Sequence, residues 1–410
     1  MSKMSLSEEL AWRGFVNQTT IKDIKTLDNK KMKFYFGVDP SATSMTIGNL
    51  ASAMMCKVFI AHGFEPVLLV GGATGLIGDP DGKAQERDLK KVEEVEKNKQ
   101  GIIEQYKNLF SGIEFEIVDN YDWFKDIGYL EFLRDIGKHV PMRQMLSRDF
   151  VQSRLGEDGA GISYAEFSYS LIQGYDFLHL HNKYGVDMQL CGADQWGNSI
   201  TGVDLIRRKT GDETHVWSGP LVVNKTTGVK FGKTEEGAIW LDSELTSVFK
   251  FYQFWLNVDD QGCEDYLKIF TRLNKEDVEE VINEFEDNRS SRIAQKTLAY
   301  EVTAMVHGED RAKSARKVSD VLFGGADFSL LDKNDIELLT VELPTHEYPG
   351  DVLELLLNSG LASSKTEARN FINSGAISVN GIKITIDDNN INQDINLLKK
   401  GKNSFILVKK

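Results

Sequence analysis

The first 223 residues predict an α/β domain built on an open, doubly wound parallel sheet, and three observations carry that expectation. "KMKFYFGVD" at 31–39 is a strand-length apolar run closed by Asp39-Pro40. "GNLASAMMCKVFIAHG", apolar nearly all round, reads as a buried helix ending at His62-Gly63, and "EPVLLVGGATG" gives a second strand feeding a glycine-rich loop. Strand, helix and strand with short links make a right-handed crossover, hence parallel strands. The pattern then recurs in "YGVDMQLCGADQWGNSITGVDLIRR", where Val186, Met188 and Leu190 alternate with polar residues and a helix follows near Asn198.

Beyond about Thr246 the character changes. "VFKFYQFWLN", "DVEEVINEFED" and "RIAQKTLAYEVTAMVHGEDRAKSARKVSDVLF" have helical periodicity without strand signals, so residues 224–325 are expected to hold a loop followed by an α-helical domain. Gly and Pro punctuation marks 326–345 as a linker. Residues 346–410 read as a small α/β module, with two helices around Ser363-Ser364 and a tight hairpin at Asn380-Gly381.

A chain of 410 residues is too long for one ordinary core, and 41% hydrophobic with 27% charged residues fits a globular protein. The N-terminus shows no secretory signal, and no apolar run approaches the ~20 residues of a membrane span. Cys56, Cys191 and Cys263 are far apart in apolar contexts, which favours buried packing in a reducing, cytoplasmic setting over disulfides or zinc. The net charge of −14 speaks against nucleic acid at first, but residues 346–410 carry 8 Lys+Arg against 7 Asp+Glu. Phosphate attraction is short-ranged at physiological salt, so local patches can still bind RNA.

In open α/β sheets ligands sit beyond the carboxyl ends of the strands, and three polar stretches fall there: Asp39 to Asn49, Gly71 to Asp81 and Gly192 to Asn198. In "SMTIGN", Ser41, Ser44 and Thr46 offer hydroxyls, and Gly48 would let a purine approach the backbone. An ordinary N-cap at Ser44 or Thr46 gives the same letters. "GGATGLIGDPDGK" is glycine-dense but lacks dinucleotide-fingerprint spacing; Asp79 could hold an ammonium group or simply sit in a turn. Tyr169, Gln173 and Asp176 are spaced i, i+4, i+7, so one helix face carries all three, either as a solvated surface or as a pocket floor. Lys230 and Lys233 in "GVKFGKTEEG" could meet a polyphosphate leaving group or be plain surface lysines. Lys365 and Arg369, at i, i+4, suit a phosphate backbone or ordinary surface charge.

Taken in order, "YFGVDPSATSMTIGNL", "GGATGLIGDPDGK", "FSYSLIQGYDFL", "GADQWGN" and "KFGKT" closely resemble a bacterial-type tyrosyl-tRNA synthetase, a class I aminoacyl-tRNA synthetase, from about Leu10 to the C-terminus. The resemblance implies a Rossmann-like catalytic domain that activates tyrosine with ATP and Mg2+, then loads tRNA(Tyr). It also implies no structural metal, a homodimer with the interface near Tyr129 to Val151, no membrane association, and an RNA-binding tail. By resemblance Tyr35 and Asp176 hold the phenol hydroxyl, Asp79, Tyr169 and Gln173 the ammonium group, and Gln195 approaches the carboxylate. Gly37, Asp39, Gly48, Asn49, Gly192 and Asp194 line the ATP side. Lys83, Arg87, Lys230, Lys233 and Thr234 act on the pyrophosphate, with Lys233 also reaching ATP.

One departure stands out. The family's signature is His-Ile-Gly-His or a near relative, and here it reads Thr46-Ile47-Gly48-Asn49. Thr46 is shorter and uncharged, so Ser41, Thr46 and the lysine loop are expected to share the phosphate contact. Small-molecule nucleotidyltransferases share the nucleotide fold but lack the tyrosine-pocket helix and the tail. A paralogue that binds without catalysis would account for the altered first position, and the intact "KFGKT" opposes it.

Overall fold

The computed structural model describes residues 4–80, 89–156, 159–234 and 237–410, with the backbone alone at 149–150 and 233–234. The chain forms two compact units, Met1–Thr246 with Val258–Leu298, and Ser247–Asn257 with Ala299–Lys410.

The first unit is built on β1 (Gln18–Thr19), β2 (Lys33–Val38), β3 (Glu65–Val70), β4 (Glu116–Asp119), β5 (Val186–Gly192) and β6 (His215–Gly219). Their spatial order is β1-β6-β5-β2-β3-β4. Strands β2 to β6 run parallel, while β1 pairs antiparallel with β6. Chain order reverses between β2 and β5, which Tyr35↔Gln189 holds in register. A crevice outside the carboxyl ends of those two strands is where a doubly wound sheet takes its ligand.

Three helices frame that crevice: α1 (Ile47–Ala61), α2 (Tyr164–Tyr184) and α3 (Trp196–Lys209). Helix α1 buries Leu50, Met54, Met55, Cys56 and Phe59, as its apolar sequence requires, and Gly63 follows its end at φ 90°. Helix α2 starts at Ser163, whose side chain accepts from Glu166 N–H, and stops at Gly185 in the left-handed region. All three cysteines are buried, as their contexts predicted. No described helix is long and apolar enough to cross a membrane.

The second unit joins helices Val248–Leu256, Ile293–His307 (from Ala299 onward) and Glu309–Ser319 to a five-stranded C-terminal sheet. Helices Val352–Asn358 and Lys365–Asn373 flank Ser363-Ser364 as expected, and Asn380-Gly381 turns the hairpin with φ of 51° and 83°. The linker expected at 326–345 needs correction. It contains helix Lys333–Glu342, capped by Asp332, and Leu339 and Phe328 share a core with Phe249, Leu397 and Leu407. Gly324 and Gly325 lie just before the segment and Pro344 at its end, while Ile336, Leu338 and Leu339 between them supply a face to bury.

Candidate active site

A cavity of about 390 Å³ lies at the carboxyl ends of β2, β5 and β6. It collects every described side chain that the resemblance assigns to tyrosine or ATP, together with Ser41, Thr46 and Lys230. Lys83 and Arg87 lie outside the described residues. Lys233 and Thr234 are placed by backbone only, in a two-residue strand paired with Gly237–Ala238. Lys365 and Arg369 belong to the second unit, both exposed on helix Lys365–Asn373.

The helix-face spacing of Tyr169, Gln173 and Asp176 makes a pocket wall, not a solvated surface. Tyr169 and Asp176 are 4% and 2% exposed. Asp176 accepts from Asn120 Nδ2 at 3.1 Å and from Trp123 Nε1 at 2.9 Å. Burial pushes its carboxyl well above the usual carboxylate range, and those two N–H groups pull the other way. Facing it from β2, the Tyr35 hydroxyl is buried with no hydrogen-bond partner, and burial and the Asp176 charge hold its phenol above the ordinary range. Gln173 Oε1 and Gln189 Oε1, also lining the cavity, are buried and unpaired. Buried polar atoms without partners are rare, and three around one cavity fit a site completed by a polar ligand.

A hydrogen-bond chain runs from this end toward the strand tips. Asn120 Nδ2 also donates to Thr74 Oγ1 at 3.0 Å, Thr74 Oγ1 donates to Asp39 Oδ1 at 2.6 Å, and Tyr169 Oη donates to Asp39 Oδ2 at 2.7 Å. Asp39 thus bridges Thr74 and the Tyr169 hydroxyl at the tip of β2. Gly71 is required beside it, since a Cβ there would lie 2.1 Å from Asp39 Oδ1 and 2.2 Å from Thr74 Oγ1. Asp79 accepts from Gln195 Nε2, and Gln195 Oε1 accepts from Asn198 Nδ2 at 3.2 Å, so the amide is held at the rim from both sides.

The Thr46-Ile47-Gly48-Asn49 turn is both cap and cavity wall. Thr46 N–H and Thr46 Oγ1 donate to Asn49 Oδ1 at 2.9 and 3.1 Å. Gly48 is exposed, and a Cβ on it would meet only Thr46 Oγ1, at 3.5 Å. Gln105 fixes the preceding loop by accepting from Met45 N–H at 2.6 Å and donating to Ser44 Oγ at 2.8 Å. On the other side Ile47 N–H donates to Ile239 O and Leu241 N–H to Met45 O, so the segment after the lysine loop pairs with the turn. Lys230 Nζ stands 3.4 Å from Asp194 Oδ2, both half-exposed.

Sequence reasoning missed Asn120, Trp123, Thr74, Gln189 and Gln105. Gln189 alone carried a local signal, a polar residue within a strand buried on both faces. Cys191 also lines the cavity, but burial pushes its thiol up to about 12, which makes it an inert wall.

Residues 27–324 match the family described as tRNA synthetases class I (W and Y). Residues 335–410 match the tyrosine–tRNA ligase SYY-like C-terminal domain. The chain is 43% identical to tyrosine–tRNA ligase 2 of Bacillus cereus, over 99% of this chain and 100% of that one. It is 42% identical to the tyrosine–tRNA ligase of Geobacillus kaustophilus, with the same coverage. Among solved structures, a C-terminally truncated mitochondrial tyrosyl-tRNA synthetase of Aspergillus nidulans superposes with a TM-score of 0.70 at 30% identity, covering 78% of this chain and 95% of its own.

Proposed function

The chain belongs to the tyrosine–tRNA ligase branch of the class I tRNA synthetases, and from that premise we propose how its cavity divides the work. The reaction has two steps. A tyrosine carboxylate oxygen attacks the α-phosphorus of ATP, the bond to the bridging oxygen breaks, and pyrophosphate leaves. The tRNA terminal ribose hydroxyl then takes the tyrosyl group and AMP leaves. No general base is needed in the first step, because the nucleophile is already a carboxylate. Rate comes from in-line positioning and from cations that meet the phosphate charge as it develops.

Tyr35 and Asp176 receive the substrate phenol, the first donating and the second accepting. The observation that carries this reading is the unpaired Tyr35 hydroxyl buried opposite a doubly anchored Asp176. Asp79, Tyr169 and Gln173 take the ammonium group, and Gln195 approaches the carboxylate. Gly37, Asp39, Gly48, Asn49, Gly192 and Asp194 line ATP, which enters as its magnesium complex. Ser41, Thr46, Lys83, Arg87, Lys230, Lys233 and Thr234 act on the leaving pyrophosphate. Among the described residues no group of three or more His, Cys, Asp or Glu could hold a metal ion.

Residues 1–223 serve as the catalytic domain, 224–325 as the lysine loop and helical domain, and 346–410 as the tRNA-binding module with Lys365 and Arg369 on the phosphate backbone. The working form is a cytoplasmic homodimer joined around Tyr129 to Val151, where Tyr129, Leu130 and Met142 are exposed. The test is exchange of labelled pyrophosphate into ATP by the full chain without tRNA. Exchange driven by tyrosine and not by phenylalanine is expected; equal exchange with both would remove Tyr35 and Asp176 from their assigned role.

A further inference from the structure

Lys230 sits on an irregular hairpin whose two limbs meet at the Val223↔Lys230 bridge, with Phe231 N–H donating to Val222 O at 2.9 Å. Asn224 N–H also donates to Val229 O at 2.9 Å, and a lone two-stranded hairpin this short is at best marginally stable in water. A contact from outside the hairpin is needed to set where Lys230 points.

The residue that touches both limbs is Tyr266, on helix Cys263–Phe270. Its ring lies 4.4 Å from the Phe231 ring, which also stacks with Phe270 at 5.7 Å. Its hydroxyl reaches Val223 O at 3.2 Å and Asp259 Oδ2 at 2.9 Å, and accepts from Lys225 N–H at 3.3 Å. The ring is fully buried and seated over Gly262, where a Cβ would come within 2.2 Å of Tyr266 Cε2 and 2.5 Å of Oη. The helix is itself clamped: the Arg13 guanidinium donates to the carbonyls of Lys268, Thr271 and Leu273 at 2.7, 3.1 and 3.0 Å, satisfying its C-terminal end.

We propose that Tyr266 is a positioning residue for the activation step: ring under Phe231 and hydroxyl across Val223 and Lys225, it fixes the hairpin so that Lys230 faces the leaving pyrophosphate. This rests on the role given to Lys230 above. Tyr266 does not itself line the cavity and reaches it only from behind Phe231, so it is expected to act on rate and not on tyrosine affinity. The dependence of rate on geometry is steep, a displacement of about 1 Å costing up to ~10²-fold.

The experiment follows tyrosyl-adenylate formation by rapid quench with the full chain, in Tyr266→Ala, Tyr266→Phe, Lys230→Ala and the Lys230→Ala/Tyr266→Ala double variant. Tyrosine dissociation constants are measured in parallel. Tyr266→Ala is expected to slow adenylate formation by at least about tenfold with tyrosine affinity within about twofold, and Tyr266→Phe to slow it less, because the ring stack survives. The double variant is expected to be no slower than Lys230→Ala alone, since the two act through one group. Wild-type rates in folded Tyr266→Phe and Tyr266→Ala, additive losses in the double variant, or a parallel loss of tyrosine affinity would each overturn the proposal. Should Tyr266→Ala not fold, Tyr266→Phe alone decides, by a rate loss at unchanged affinity or none. A Lys230→Ala variant with full rate refutes the role of Lys230 itself, a result distinguishable from failure at Tyr266.

Discussion

The two ends of the cavity are built on opposite principles. At the closed end, Asp176 and Tyr35 are each 2% exposed; Trp123 and Asn120 donate to Asp176, Asn120 and Thr74 carry the chain on to Asp39, and the Tyr35 hydroxyl stays unpaired beside it. At the open end, Lys230 and Asp194 are half-exposed and separated by 3.4 Å, and the turn that faces them is tied mainly by its own Thr46–Asn49 contacts and by backbone pairing. Discrimination needs desolvated partners that a wrong substrate leaves unpaired, whereas leaving-group stabilisation needs cations that can meet a charge as it forms. Tyrosine against phenylalanine in this enzyme family is the standard worked case of the first kind. On the proposed assignment, selectivity is lodged in the buried half and rate in the exposed half.

If that division holds, variants at the two ends must fail differently. The largest effect is expected from Asp176→Ala, which removes the phenol acceptor and strands the Asn120 and Trp123 donors. A loss of about 10³-fold in kcat/KM for tyrosine, with phenylalanine little changed, follows from the usual cost of such groups. Equal losses for both amino acids would erase the distinction. Lys230→Ala should lower the rate of adenylate formation by about 10²-fold while tyrosine binding, read by equilibrium dialysis, stays put. Asn120→Ala cuts the chain between Thr74 and Asp176 and should raise KM for tyrosine about tenfold, leaving kcat for ATP-saturated exchange nearly unchanged. A fall confined to kcat instead would mean that the chain serves the phosphate end.

Smaller effects sharpen the contrast. Thr46→His should speed adenylate formation by a few-fold, roughly the ~1 kcal/mol of one added charge-assisted contact; a slower variant would show that the Thr46–Asn49 cap, and not reach to the phosphates, is what the turn needs. Burial raises the Asp176 carboxyl above its unfolded value, so the native state binds that proton more tightly than the unfolded chain does. Its contribution is fully present below about pH 4 and is lost as pH rises through the raised value. Urea unfolding of Asp176→Asn at a series of pH values should show a flatter decline than wild type, and an unchanged slope would assign the titration elsewhere.

Much of this was legible without coordinates, and the reason is locality. The βαβ crossover, helix α2 with its i, i+4, i+7 polar face, and the Asn380-Gly381 hairpin each rest on neighbours a few residues apart, so periodicity and turn chemistry suffice. Asn120 and Trp123 were not legible. "VDNYDWFK" looks like any strand-end turn, and its importance lies 56 and 53 residues away at Asp176. The supposed linker failed for a related reason: Gly and Pro at its ends outweighed a short apolar face whose partners, Leu397 and Leu407, come from the far end of the chain.

By itself the sequence determined the parallel sheet, the order of the motifs, the substitution of Thr46 in the signature and the group of residues gathered at the strand tips, because these depend on residue type at short spacing. Only the tertiary structure decided which polar atoms are paired and which stay open. It placed Asp39 as a bridge, left the Tyr35 hydroxyl unpaired and set Tyr266 over Gly262 beneath the lysine hairpin. Those outcomes depend on burial, and burial is a property of surfaces brought together from distant parts of the chain.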